Sequence, residues 1–176
     1  LAALRAAKEH GAKTLAIVNV VGSSIAREAD HVLYTLAGPE IAVATTKAYS
    51  TQLAATYVLA LAFAQARGTV TAEEFKKLTA ELATIPEKIE KLLEHKERIQ
   101  WFASKRANME HAFFIGRGLD YAAGLEGSLK MKEISYIHSE AYPAGELKHG
   151  TISLIEEDTL VVGLLTQQAL YEKTLS

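Results

Sequence analysis

The chain lacks several features that would assign it to specialised classes of protein. It contains no cysteine, which excludes disulfide bridges and thiolate metal sites. No strongly basic run is interleaved with aromatic residues, so nothing in the sequence predicts a nucleic-acid interface. The most apolar run, Leu53–Ala66, is shorter than the roughly 20 residues that a membrane-spanning helix needs. We therefore expect no membrane span, and we expect this run to form a buried core helix.

The overall composition is that of an ordinary globular chain. Of 176 residues, 49% are hydrophobic and 23% are charged, with a net charge of −2, so the chain can bury a core. The first residues lack the layout of a signal peptide, which makes a cytoplasmic setting the default expectation. They already follow an amphipathic pattern, so we expect a helix there and further sequence upstream. No group of residues has metal-ligand spacing, and we expect neither a metal nor another cofactor.

The first half of the chain alternates predicted strands and helices. Lys13–Val20 is a mostly apolar run between glycines, which predicts a strand buried on both faces of a parallel sheet. Ser23 can cap a short helix, and His31–Leu36 predicts the next strand. Residues 43–46 then lead into a long helix that ends near Arg67. This order of elements predicts an α/β fold.

A charged helical stretch separates this half from a second group of strands. Thr71 caps a predicted helix, and Pro86 starts a charged amphipathic helix that reaches about Lys105. Ala112–Ile115 predicts a short buried strand, and Leu160–Thr166 predicts another. The charged helix is therefore the natural connector between two domains.

A stripe of three charges interrupts the helical stretch that follows the third predicted strand. Glu126, Lys130 and Glu133 are spaced i, i+4 and i+7, so two carboxylates and one ammonium share one face. Gly124 and Gly127 would allow a neighbour to approach the backbone closely. The apolar residues of this stretch predict a buried face beside the stripe: Leu125, Leu129, Met131 and Ile134. From the residues alone, a catalytic face and a solvated salt-bridge face are about equally well supported.

A polar run, His138–Gly150, comes next and has the composition of an ordered loop. It ends on Lys148 and His149, and His138 is better explained as a structural histidine than as a catalytic one. A histidine that titrates near neutrality can exchange a proton with a sugar ring oxygen. A nearby carboxylate can move a proton between adjacent carbons beside a carbonyl. The helix and the loop together favour aldose–ketose chemistry without naming a substrate.

Three long segments resemble one family of enzymes. Leu125–Tyr136 and His138–Gly150 resemble the second sugar-isomerase (SIS) domain of the glutamine–fructose-6-phosphate aminotransferase family. Gly38–Gln52 resembles the matching signature of the first SIS domain, and the similarity runs through essentially the whole chain. The resemblance implies an SIS-type three-layer α/β sandwich, with parallel sheets flanked by helices.

The resemblance also implies parts of two SIS domains joined by a helical connector. Residues 1–83 would be the later part of the first domain, 84–107 the connector, and 108–176 the earlier part of the second. The family's glutaminase domain, phosphate loop and tail with a Schiff-base lysine would lie outside these residues. We therefore expect the chain to be inactive alone, with the glutaminase domain of the same polypeptide as a partner, in a homodimer.

The family's catalytic roles fall on three residues of this chain. The resemblance implies that His149 opens the furanose ring and that Glu133 moves a proton between C1 and C2. Lys130 would assist beside Glu133, and Glu126 would contact substrate or orient Lys130 one turn away. In the family, this histidine acts in the site of the neighbouring subunit.

Sugar contacts are implied at the start of the long helix of the first half. The backbone of Val43 and Ala44 and the hydroxyl of Thr45 would hold the sugar phosphate, fructose 6-phosphate or glucosamine 6-phosphate. The family often has serine at the position of Thr45, and a hydroxyl is kept here. Helix capping by Thr45 is the alternative explanation for this residue.

Two other functions fit an SIS domain. One is a regulator that binds a sugar phosphate without transforming it, which would need no acid–base pair. The other is a stand-alone sugar-phosphate isomerase or deglycase. Glu133 and His149 favour chemistry over binding alone, and a glutaminase domain upstream would establish the aminotransferase.

Overall fold

A computed structural model of the chain describes residues 1–175. The backbone packs into two compact units, Leu1–Leu93 and a second unit that begins at Glu94. Within residues 1–175, no helix is long and apolar enough to cross a membrane.

The first unit pairs two parallel strands and adds five helices. Strands β1 and β2 lie in register, with Ala16 opposite Val32. This pairing confirms the predicted βαβ order and the α/β class. In chain order the elements are α1 (Ala2–Glu9), β1 (Leu15–Val18), α2 (Ser24–Glu28), β2 (His31–Tyr34), α3 (Thr46–Ala66), α4 (Ala72–Ala83) and α5 (Ile85–Leu93).

Local sequence signals explain where these helices begin. Ser23 Oγ accepts a hydrogen bond from the Ala26 amide at 3.4 Å, so the predicted cap of α2 is confirmed. Thr71 and Glu74 form a reciprocal capping box at the start of α4, as the sequence predicts.

The second unit is built on a three-stranded parallel sheet in the order β4-β3-β5. Its core contains Ala112, Phe113 and Ser139, which are at most 2% exposed. The elements are α6 (Lys96–Ser104), β3 (His111–Gly116), α7 (Leu119–Ser135), β4 (His138–Pro143) and β5 (Leu160–Gly163), then α8 (Tyr171–Leu175). Short 3₁₀ turns cover Leu147–His149, Thr151–Leu154 and Gln168–Leu170.

Helix α7 packs on this sheet through small residues. Gly124 and Ser128 are buried, and a Cβ atom at Gly127 would lie only 2.9 Å from Cε1 of Phe114. The prediction that glycines here permit a close approach is therefore confirmed, and the group that approaches is the Phe114 ring. This contact fixes the orientation of α7 and hence of its charged stripe.

The prediction that the apolar face of α7 is buried is wrong for this chain. Leu125, Leu129 and Ile134 are 48%, 43% and 61% exposed, because the small residues form the face that packs on the sheet. The predicted burial of Leu53–Ala66 is also wrong. In α3 only Ala55 is buried, since α4 is the main neighbour of this helix within the first unit.

The second unit also corrects two boundaries. The segment predicted as a loop from His138 forms strand β4 as far as Pro143, because β3 offers it a parallel partner with His111 opposite His138. Strand β5 ends at Gly163 and alternates between half-buried and exposed residues, since successive side chains of a strand point to opposite faces of the sheet.

The charged helix predicted from Pro86 to about Lys105 is two helices. Helix α5 ends at Leu93 and α6 begins at Lys96, after a turn at residues 94 and 95. No glycine or proline marks this break in the sequence. The assignment of 84–107 as a connector between two domains stays a prediction.

Candidate functional site

The charged stripe of α7 is a partly buried ion triad. Lys130 Nζ lies 2.7 Å from Glu133 Oε2 and 3.5 Å from Glu126 Oε1. The side chains of Lys130, Glu126 and Glu133 are 18%, 24% and 31% exposed. The structure therefore brings together three of the predicted site residues, on a helix that the sheet holds in place.

The electrostatics of the triad keep the ammonium charged. The hydrogen bond to Glu133, with the nearby charges of Glu133 and Glu126, raises the pKa of Lys130 above its ordinary value. Oε2 of Glu133 accepts the hydrogen bond from Lys130. Oε1 has no hydrogen-bond partner among residues 1–175, so it is free to accept a proton. A carboxylate with a free oxygen can exchange a proton with a carbon acid.

His149 lies on the loop that follows β4 and is exposed. Its amide donates to the Glu146 carbonyl at 2.9 Å, which places it at the end of a tight turn. Within residues 1–175 no hydrogen bond or ion pair links its ring to α7. The structure thus places His149 on an ordered, solvent-facing loop and does not join it to the triad.

A network at the start of α7 was not predicted from the sequence. Asp120, 5% exposed, accepts a hydrogen bond from the Thr166 amide at 3.0 Å and another from the Thr166 hydroxyl. These bonds lower the pKa of Asp120 below its ordinary value, the Thr166 hydroxyl having the largest effect. Gln167 Nε2 donates to the Arg117 carbonyl at 2.6 Å. The only sequence signal at this network is that Arg117 stands between two glycines, a composition that is typical of a connecting loop.

The predicted sugar-contacting loop of the first unit is strained at Thr45. This residue adopts the left-handed conformation with φ 49° and ψ 37°, which is uncommon for a residue other than glycine. Its hydroxyl donates to the Val43 carbonyl at 3.0 Å and makes no cap bond. Side-chain capping therefore does not explain Thr45, and the strain marks this loop as a candidate site.

The loop is fixed at its base by a residue that sequence reasoning missed. Asn19, just after β1, accepts from the Ala37 amide at 2.8 Å and donates to the Gly38 carbonyl at 2.7 Å. Lys47 also donates to the Pro39 carbonyl. Val43 and Thr45 are exposed and Ala44 is half-buried, so these three residues lie on an anchored, accessible loop.

His138 takes part in a separate cluster on the other face of the second sheet. Its Nδ1 lies 3.4 Å from Nδ1 of His111, and its Nε2 lies 3.7 Å from Glu140 Oε1. The Tyr142 hydroxyl donates to Glu140, and this bond raises the pKa of Tyr142. These contacts give His138 structural partners. In residues 1–175 no group of three or more histidines and carboxylates is placed to hold a metal ion.

One protein-family model assigns the chain to a family. The SIS domain model matches residues 1–62 and 107–175. The chain belongs to the SIS domain family. The two matched segments contain both parallel sheets, and they leave out α4, α5 and α6.

Curated relatives of this SIS chain extend well beyond it. It is 63% identical, over all 176 residues, to the glutamine–fructose-6-phosphate aminotransferase [isomerizing] of Clostridium tetani. The chain spans 29% of the length of that relative.

Solved structures support the same fold. The C-terminal domain of glucosamine-fructose-6-phosphate aminotransferase from Francisella tularensis is 40% identical, with a TM-score of 0.94. That comparison covers 98% of this chain and 49% of the other. A glucosamine-6-phosphate deaminase from Thermotoga maritima is 28% identical over 98% of this chain and 50% of its own, with a TM-score of 0.73. The prediction of an SIS-type α/β fold with parallel sheets is confirmed.

Proposed function

We propose that this SIS chain is part of the isomerase region of a glutamine–fructose-6-phosphate aminotransferase. The observation that carries the proposal is the ion triad Glu126–Lys130–Glu133, held on α7 within a chain that is 63% identical throughout to such an enzyme. The whole polypeptide would convert fructose 6-phosphate and ammonia from glutamine into glucosamine 6-phosphate. Its glutaminase domain would be a partner within the same polypeptide.

The chemistry divides between the loop and the helix. His149 transfers a proton to the ring oxygen of the furanose as the ring opens, a role that its accessible position supports. After ammonia has formed an imine at C2 with loss of water, Glu133 removes a proton from C1 while the imine nitrogen takes one up. Glu133 then returns its proton to C2 while the 1-hydroxyl loses its own proton. The product is then an aldose that carries the amino group at C2. Lys130 stabilises the negative charge that Glu133 and the intermediate share.

The loop of the first unit would bind the sugar phosphate. The strained Thr45 supports this role, because a non-glycine residue in the left-handed region costs on the order of 1 kcal/mol. Anchoring by Asn19 keeps the exposed backbone of Val43 and the neighbouring Ala44 in one arrangement. The cytoplasmic setting and the homodimer stay predictions.

A second candidate is a stand-alone SIS enzyme that isomerises or deaminates a sugar phosphate. The 28% identity to a glucosamine-6-phosphate deaminase favours it, since the same proton transfer between C1 and C2 serves both directions. The two candidates differ in the source of nitrogen. Glutamine-dependent formation of glucosamine 6-phosphate by the full-length protein would exclude the second candidate.

The test of the proposed chemistry is Glu133→Gln in the full-length protein. Glutamine keeps the shape of the side chain but cannot accept a proton, so we expect turnover to fall by about 10²-fold or more. Binding of fructose 6-phosphate should stay within a few-fold of wild type. Product formation is followed by NMR and binding by calorimetry.

The matched control is Glu90→Gln, the same change at an exposed position of α5. This variant should keep wild-type turnover. If Glu133→Gln behaves like Glu90→Gln, Glu133 is not the base and the proposal fails.

A further inference from the structure

The turn between β3 and α7 touches the loop that carries His149. The Ala144 amide donates to the Gly116 carbonyl at 2.8 Å, which joins the end of β4 to the end of β3. Beyond this bond the guanidinium of Arg117 lies directly against Gly145. Arg117 as a whole is half-buried.

A side chain at Gly145 would press on the guanidinium of Arg117, so the guanidinium or the turn would have to shift. A Cβ atom there would lie 2.9 Å from Nη1 and 3.2 Å from Nη2 of Arg117. Gly145 does not have a positive φ, so its conformation does not itself require glycine. The close contact at Gly145 therefore comes from the arginine that packs on it.

Arg117 is itself held on two sides. Its Nε donates to the Lys173 carbonyl at 3.1 Å, and its own carbonyl accepts from Gln167 Nε2 at 2.6 Å. The amides of Thr166 and Gln167 in turn donate to the buried Asp120. The guanidinium of Arg117 is therefore held by the backbone of α8, and the backbone of Arg117 is held by Gln167.

Two short hydrogen bonds carry this constraint from Gly145 to His149. The Glu146 amide donates to the Pro143 carbonyl at 2.8 Å, closing a turn around Gly145. The His149 amide donates to the Glu146 carbonyl at 2.9 Å. A displacement of the turn at Gly145 is therefore transmitted to the residue that would protonate the ring oxygen.

We propose that Arg117, seated on Gly145, is a positioning residue that sets the place of His149 for ring opening. This inference rests on the proposed function and adds a residue to it that acts only through His149. It predicts that disturbing Arg117 impairs the opening of a cyclic sugar phosphate, while the proton transfer at C1 and C2 proceeds normally.

The experiment compares two substrates of the full-length protein. Fructose 6-phosphate is mostly a furanose and must be opened. The 5-deoxy analogue has no 5-hydroxyl to close a furanose, and its 6-phosphate blocks the pyranose, so it is always open. His149→Ala is the reference variant, and it should lose turnover of the cyclic substrate only.

Arg117→Ala and Gly145→Ala are expected to reproduce that pattern. Each should lower kcat for fructose 6-phosphate by about tenfold or more, since small misplacements of a catalytic group have effects of this size. Turnover of the 5-deoxy analogue should stay within about twofold, which also shows that the variants are folded. The double variant should be no worse than Arg117→Ala, because the added methyl group then has nothing to displace.

Arg98→Ala is the control, an arginine lost from the exposed surface of α6 in the same unit. It should match wild type with both substrates. The positioning role would be overturned if Arg117→Ala and Gly145→Ala lost turnover equally with both substrates, or if their losses added in the double variant. Either result would leave the proposed function itself untouched. If His149→Ala impairs both substrates equally, the ring-opening step of the proposed function fails as well.

Discussion

At the scale of single residues, Asp120 shows how a buried charge is kept. A carboxylate that is 5% exposed would be costly unless its oxygens accept hydrogen bonds. Asp120 accepts from the amides of Thr166 and Gln167 at 3.0 and 3.4 Å, and from the hydroxyl of Thr166. It thereby joins the first turn of α7 to the segment that follows β5.

The stabilising effect of Asp120 should depend on pH. Its folded pKa lies below the ordinary value of 3.8, so its contribution is fully present above that value and is lost as the pH falls below it. We expect Asp120→Asn to lower the melting temperature of the full-length protein by several degrees near pH 7. The difference from wild type should shrink toward about pH 3, because protonation of Asp120 then weakens the wild type too.

The measurement is a series of thermal melts between these pH values. Asp158→Asn, a change at an exposed carboxylate of the same unit, is the control and should leave the melting temperature unchanged. A deficit of Asp120→Asn that stays constant down to acid pH would contradict the linkage.

The contrast between the ion triad and this network explains what a sequence can predict about a site. Glu126, Lys130 and Glu133 were predicted as one group because helical geometry fixes their spacing locally. Asp120 and Thr166 are 46 residues apart, and Arg117 and Lys173 are 56 apart. Only the pairing of strands brings such residues together, and no periodic pattern in the local sequence predicts that pairing.

At the scale of elements, α7 packs closely on the sheet because two of its residues are glycines without side chains. Gly124 and Gly127 both face Phe114, but the two positions differ in the room they leave. A Cβ atom at Gly124 would meet the Cβ of Phe114 at an ordinary 3.5 Å, whereas one at Gly127 would meet its ring at 2.9 Å. The ring itself is held in the central strand of the sheet.

Alanine should therefore destabilise the fold at Gly127 but not at Gly124. Gly127→Ala forces the Phe114 ring or the helix to move, and we expect a loss of about 1–3 kcal/mol in the free energy of unfolding. Gly124→Ala should be neutral or stabilising by up to about 1 kcal/mol, because alanine favours a helix over glycine. Chemical denaturation of the full-length variants measures both, and equal effects would show that Phe114 does not set the approach of α7.

Strand β4 shows why one element escaped prediction. Its residues, HSEAYP, are polar and end in proline, so the local pattern favours a loop. In the fold it pairs with β3 over six residues, and its proline lies at the last position. The other four strands were predicted because each is a run of mostly apolar residues, although three of them proved shorter than the run.

At the scale of the whole molecule, the pattern of hydrophobic residues predicts which segments form helices and strands better than it predicts which residues are buried. Helix α3 was predicted correctly as a helix, yet Tyr57 and Phe63 are 51% and 61% exposed. A helix that is apolar on all sides needs neighbours on all sides. The chain spans 29% of the length of the Clostridium tetani relative, and a local pattern does not state which other part of a polypeptide covers a face.

The assembly should decide where His149 acts, and the last prediction is that it acts across a dimer. His149 is exposed and, within residues 1–175, unlinked to the triad, so its loop can serve the site of a neighbouring subunit. In a two-fold dimer the exchange is reciprocal.

Full-length Glu133→Gln and His149→Ala subunits are mixed and allowed to exchange, and native mass spectrometry follows the mixed dimers. If His149 acts in trans, each mixed dimer has one intact site, and random pairing should restore roughly a quarter of wild-type activity. Within one subunit, every site would keep a defect, so activity no higher than that of the separate variants would refute the shared site.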